Sequence, residues 1–298
     1  MNFQQTYTRL PSMISPYLKV LFSSKPQLAE SGISSPSLTA DIPKLKVKPK
    51  HLQRFQQVCG LPITNALPYT YLHVLAMPLK MRIFSHPNFP ITILGLVHIR
   101  NVIRHWKTLD SDAYLRIIVA CKELKETDLG QEIDIVIRAY EGEGLVWEEI
   151  STLLARRTKS TEGKTTKGLS TPITHHMIFS SIDERIIKIP AHIGRHYAVV
   201  SGDFNPIHLF DITAKLLRFR QKVAHGMWTV SRCLGLAQSL FSAEPLEIEV
   251  QFKSPLYLPG ECLFRQQQDP ILPSSINLSL SSLRDNRLHL MVHIRSLS

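Results

Sequence analysis

Acidic residues are in short supply in this chain. Lys and Arg number 35 against 24 Asp and Glu, for a formal charge of +11, and no acid precedes Glu30. Such an excess suits nucleic acid, anionic lipid or phosphorylated ligands. The positive residues are dispersed, however, and few alternate with aromatics, which argues against a nucleic-acid surface. Long apolar runs are missing as well. None reaches the ~18 residues that span a bilayer, and the best stretch, 89–99, holds Pro90 and His98 and is closed by Arg100. Cysteine is scarce: Cys59, Cys121, Cys233 and Cys262 are scattered, with no Cys-x-x-Cys pair. That excludes a disulfide framework and points to buried thiols in a reducing, cytoplasmic setting.

A chain of 298 residues that is 44% hydrophobic has material for one large or two ordinary domains. Residues 1–50 are Ser- and Pro-rich and carry Arg9, Lys19 and Lys25. They resemble a transit peptide in charge, but Pro11, Pro16 and Pro26 interrupt any long helix, so the segment is expected to be a basic, loosely ordered tail. It closes on the alternating run 44–50, which reads as a solvated edge strand. Apolar residues crowd 69–85 at helical density, and Pro78 predicts a kinked or two-part helix. Strand-like runs follow at 94–99, 115–120, 133–140 and 145–154, with the sequence Glu141-Gly142-Glu143-Gly144 as a hairpin turn. Residues 156–171 have the composition of a solvated linker. The second half repeats the order: a strand at 182–189, a helix at 193–201, a longer helix at 226–241, and strands at 246–254, 261–268, 276–283 and 288–295. The expectation is an α+β chain built from a duplicated unit, each sheet wrapped round a central helix. Its parts are an N-terminal segment (1–50), a first domain (51–155), a linker (156–171) and a second domain (172–298).

Chemistry-bearing side chains gather in one place, the run Tyr197-Ala-Val-Val-Ser-Gly-Asp-Phe-Asn-Pro-Ile-His208, followed by Ala224-His-Gly-Met-Trp228. Pro206 disfavours helical dihedrals at Asn205, so the chain leaves any helix there and projects Asp203, Asn205 and His208 from an irregular backbone. Taken singly, Asp203 and Asn205 are ordinary turn or cap residues, and His225 an ordinary structural hydrogen-bonder. The ordered set carries more weight than its members. His192 and His196, with Asp203, His208 and His225 nearby, raise the question of a metal. No Cys or Glu completes a recognised ligand pattern, and no metal or other cofactor is expected.

The motif resembles the signature of the MaoC-like dehydratases, the (R)-specific enoyl-CoA hydratases, over roughly 189–260. The first half resembles that family only in architecture and lacks an Asp-x-Asn-Pro-x-His string. The resemblance implies a double hot-dog fold, two curled antiparallel sheets each around a central helix, with one catalytic copy. It also implies that Asp203 and His208 activate the water added to a trans-2-enoyl thioester, while the Gly226 amide binds the thioester carbonyl. Asn205, Arg220 and Lys253 are expected to contact substrate, the last two through the carrier's phosphates. Arg218 departs from the family, which often has glycine there. The implied ligand is an acyl-CoA, or an acyl carrier protein thioester, with a homodimer as a further possibility. Acyl-thioester hydrolysis and non-catalytic acyl binding are the alternatives, because a fold does not dictate a reaction.

Overall fold

In the computed structural model, residues 3–22, 25–26, 28–29, 37–157, 183–237, 241, 244–269, 272 and 275–297 are described. Most of the expected linker lies outside them. The chain opens with β1 (Phe3–Thr6) and α1 (Ile14–Leu21), then runs through β2 (Leu38–Lys46), α2 (Pro49–Cys59), α3 (Tyr71–Leu75) and α4 (Met77–Phe84). Four strands complete the first half: β3 (Val97–His105), β4 (Tyr114–Thr127), β5 (Gly130–Glu141) and β6 (Gly144–Arg156). The second half holds β7 (Asp183–Ile189), α5 (Ile193–Ser201), a 3-10 turn (Pro206–His208), α6 (Asp211–Leu216) and α7 (Gly226–Ala237). It ends with β8 (Leu246–Phe252), β9 (Gly260–Gln268), β10 (Ser275–Ser282) and β11 (Leu288–Ser296).

The expected pair of separately curled sheets is not what forms. The strands make one eleven-stranded sheet in the order β1-β2-β4-β5-β6-β3-β8-β11-β10-β9-β7, neither closed nor strongly curled. Its end strands, β1 and β7, do not meet. The two halves fuse because β3 pairs antiparallel with β8, Asn101 opposite Val250 and Ile103 opposite Ile248. Ile103, Val250 and Ile248 are all buried, so this seam belongs to the core. An ionic ladder crosses it: Arg104 donates to Glu247 at 2.7 Å and to Glu148 at 2.9 Å. On either side of the seam the order reads 3-6-5-4-2 and 8-11-10-9-7, the same topology reflected about the junction. The repeated plan is therefore present, but as two ends of one open sheet.

The N-terminal segment also differs from the loose tail its composition suggests. β2 pairs with β4 and, over 38–41, with β1 on its other side, burying Leu38, Ala40 and Ile42. Its 44–46 end pairs with β4 alone and exposes Lys44 and Lys46, a solvated edge, while Pro49 and Lys50 begin α2. Pro16 falls in the first turn of α1, where its missing N–H has no helical acceptor to lose. Pro78 likewise stands in the first turn of α4 and separates it from α3, as the sequence predicts. Two indoles fix helices in place: Trp147 Nε1 donates to the Tyr69 carbonyl at 2.9 Å and Trp228 Nε1 to the Val58 carbonyl at 3.0 Å. The four cysteines are buried and unpaired.

Candidate active site

The motif loop begins where α5 stops. Gly202 ends the helix at φ +72°, a left-handed conformation natural to glycine. Two Asx turns then shape the chain. Asp203 Oδ1 accepts the Asn205 N–H at 3.1 Å, and Asn205 Oδ1 accepts the Ile207 N–H at 3.4 Å, capping the 3-10 turn. The turn and cap roles expected of these residues singly are thus real. They aim the rest of the loop, since Asp203 keeps its second carboxylate oxygen and remains a third exposed. Tyr17, brought in by α1, holds the loop from outside. Its hydroxyl donates to the Gly202 carbonyl and accepts the Phe204 N–H at 3.0 Å.

His208 is buried, and its Nδ1 lies 2.8 Å from the Val223 carbonyl. A carbonyl only accepts, so Nδ1 carries the hydrogen and Nε2 keeps an open lone pair. Burial lowers the His208 pKa against the opposing pull of Asp203 and the Val223 hydrogen bond, so the ring is neutral. His225 stacks on it with ring centroids 3.7 Å apart and planes 26° apart. Its Nε2 donates to the Asp203 backbone carbonyl at 2.9 Å, which leaves Nδ1 buried without a partner. Burial, with His208 alongside, pushes the His225 pKa down to about 3. Burial works against the charge on Asp203. The edges of His225 and His208, the Asn205 N–H and the Lys80 ammonium outweigh it, and the carboxyl titrates below its ordinary value.

One donor atom from each of Asp203, His208 and His225 lies within 4.8 Å of the others, a spacing that spans one water or one cation. Imidazole lone pairs lie in the ring plane, and two stacked, nearly parallel rings are poorly aimed at a common ion. His192 and His196 stand elsewhere, on the exposed face of α5, with ring centroids 4.4 Å apart.

These groups line a cavity of about 330 Å³ together with Gly226, Asn205, Lys253 and Lys80. Gly226 is the first residue of α7, where a backbone N–H has no acceptor within the helix. A Cβ at this position would stand 2.7 Å from the Phe252 ring, so the close approach that requires glycine is to an aromatic wall. Lys253 lines the same cavity, whereas Arg220 stacks over Tyr257, 4.2 Å from its centroid, in a second cavity of about 710 Å³. The two cavities share Pro255, Leu256 and His289.

The first half supplies what motif reading passed over. Lys80 donates to His73 Nε2 at 3.0 Å. Nδ1 of His73 then carries the hydrogen and donates to Glu149 Oε1 at 2.6 Å, which also accepts the Ser151 hydroxyl at 2.5 Å. Lys80 is 4% exposed and Glu149 0%. Burial lowers the Lys80 pKa to about 8, against the pull of Glu149 and Asp203. Burial alone would raise Glu149, but His73, Lys80 and Ser151 bring it to about 2. A signal was present in the sequence: Met77, Lys80, Met81 and Phe84 share one helical stripe, and a lysine there faces inward.

Acid should destabilise this arrangement early. His225 and His98 both sit near pKa 3 when folded, chiefly through burial, against about 6.5 unfolded. The unfolded chain therefore binds protons first, and stability present above about pH 6.5 is lost as pH falls toward the folded values. Melting temperatures at stepped pH should decline through this window; a flat profile down to pH 4 would contradict the neutral burial of both rings.

Residues 189–267 match the family described as MaoC like domain. Over 264 residues the chain is 27% identical to 3-hydroxyacyl-thioester dehydratase X of Mycobacterium tuberculosis, covering 88% of this chain and 90% of that one. The crystal structure of HtdX from the same organism is similar, with a TM-score of 0.72 and 25% identity over 86% of this chain and 99% of that one. A MaoC-like dehydratase from Phytophthora capsici shares the fold, with a TM-score of 0.63 and 16% identity over 89% of this chain and 96% of that one.

Proposed function

We propose, for a chain that belongs to the MaoC-like dehydratase family through residues 189–267, the reversible hydration of trans-2-enoyl thioesters to (R)-3-hydroxyacyl thioesters. It is a hydro-lyase acting on acyl thioesters. One observation carries the reading: the His208 Nδ1–H is committed to Val223, which leaves Nε2 as the ring's open atom in a cluster whose donor atoms, from Asp203, His208 and His225, lie within 4.8 Å of one another.

Water held between the two has one hydrogen on the Asp203 carboxylate and one directed at His208 Nε2. As its oxygen bonds to Cβ, His208 takes the second hydrogen and electron density moves through Cα to the carbonyl oxygen. The Gly226 N–H, at the positive end of α7, donates to that oxygen. The imidazolium, stabilised by Asp203, then returns the proton to Cα on the same face. One water is consumed and both residues are restored. His225, stacked on His208 and tied to the Asp203 backbone, keeps the pair in register. Asn205 holds the turn that aims them.

Coenzyme A is the carrier this surface favours. Lys253 lines the same cavity as Asp203 and His208, and the adjoining cavity is lined by Lys188, Arg220, Arg284 and Arg287 against Glu261 and Asp285, a cationic excess that suits the phosphates of a carrier reaching out of the site. No described helix is long and apolar enough to cross a membrane.

The test is direct. Purified protein mixed with crotonyl-CoA should remove the enoyl absorbance without releasing free thiol, and the product should be the (R)-alcohol. Thiol release would replace hydration by hydrolysis, and unchanged absorbance with short and long chains would leave a binding protein.

A further inference from the structure

The cavity beside Asp203 is built for an acyl chain, yet it is not lined as a plain hydrocarbon would require. α4 presents Met77, Lys80, Met81 and Phe84 to it, three apolar groups and one ammonium on the same stripe. Hydrocarbon gains nothing from a buried cation, and burying one is costly unless it is paired. Here the pairing is extensive: the His73–Glu149–Ser151 chain keeps the charge in place. The pairing is also incomplete. An ammonium has three N–H donors, and among the described residues only one of Lys80's has an acceptor, His73 Nε2.

A second open polar group stands close by. His98 lines the same cavity, its ring stacked against His73 with centroids 6.4 Å apart. Its Nε2 is buried and has no partner. Fully buried polar atoms are nearly always satisfied, so Lys80 and His98 together mark where an oxygen is wanted. Its charge is constrained as well. Lys80 already faces two anions, Glu149 and Asp203, so the surroundings are net negative before a ligand enters and a third anion would be repelled. A neutral oxygen, accepting from the ammonium and sharing a hydrogen with the imidazole, satisfies both groups.

On the premise that the cavity takes acyl thioesters, we infer that Lys80 and His98 form a specificity site for a hydroxyl carried on the acyl chain beyond C3. The half without the motif thus selects the chain while the other half performs the chemistry.

Calorimetric titration with saturated acyl-CoA ligands tests this without turnover. The probes are octanoyl-CoA and its chain-hydroxylated counterparts, with the oxygen walked along the chain. The full-length protein should bind the best-placed hydroxylated ligand about 10-fold more tightly than octanoyl-CoA, about 1.4 kcal/mol for one decade. Lys80→Met should bring that ratio to about one. Because this variant strands Glu149, the pair Lys80→Met with Glu149→Gln provides a second reading in a fold relieved of the lone anion. An ammonium that serves only as counter-charge to Asp203 would leave the ratio the same in wild type and variants, and that result overturns the assignment. So does a preference for the plain chain in wild type. Tighter binding of an ω-carboxyl chain would overturn the choice of a neutral oxygen. A protein that binds no acyl-CoA at all removes the thioester reading along with this one, and is distinguishable from the other outcomes.

Discussion

Asp203→Asn should lower turnover of an enoyl thioester by about 10³-fold or more, the scale on which positioned proton-handling groups act, while the fold survives. The amide keeps an oxygen in the Oδ1 position, so the Asn205 N–H retains its acceptor and the loop its shape. What disappears is the negative charge beside His208, on which the proposed water activation depends. His208→Ala should be as damaging. It removes the proposed base, along with the Val223 hydrogen bond and the ring that stacks on His225. Rates with crotonyl-CoA, compared with circular dichroism of each variant, decide the matter. Full activity in either variant would end the assignment of the pair.

The second large effect is on stability and lies in the other half. Glu149→Ala removes the carboxylate at the end of the Lys80–His73 chain and leaves the buried ammonium with Asp203 alone, and taking one charge out of a buried network costs about 3–5 kcal/mol. The loss should appear as a lower urea midpoint with an unchanged slope. Removing both charges, Lys80→Met with Glu149→Ala, should recover much of it, because the desolvation cost leaves with the ammonium. A Glu149→Ala protein as stable as wild type would mean that Asp203 alone suffices as counter-charge for Lys80, or that Lys80 is neutral when buried.

Local signals carried much of the chain. α5 occupies the range its apolar spacing suggests, and Pro78 divides α3 from α4 as an in-helix proline should. Turn chemistry placed the β5–β6 hairpin, with Gly142 at φ +59°. What local signals cannot convey is which alternating strands meet. β3 and β8 look like any half-buried strands, and only their pairing turns two expected sheets into one. α1 was hidden by Pro16, harmless in a first turn, and β2 by the lysines that follow its buried Leu38, Ala40 and Ile42. The site divides in the same way. Asp203, Asn205 and His208 are close in sequence and were legible together with the His225-Gly226 step. Tyr17, His73 and Lys80 reach the cavity from distant segments, with Glu149 behind His73, and nothing near each of them names its partner.

The seam between β3 and β8 has an implication for variation. Were the assembly two identical subunits, every change to one wall of the cavity would be copied, rotated, onto the opposite side. Here the two walls have separate codons. An ammonium can be installed on one side without inserting a second into the water-handling face, and chain preference can drift while the reacting groups stay fixed.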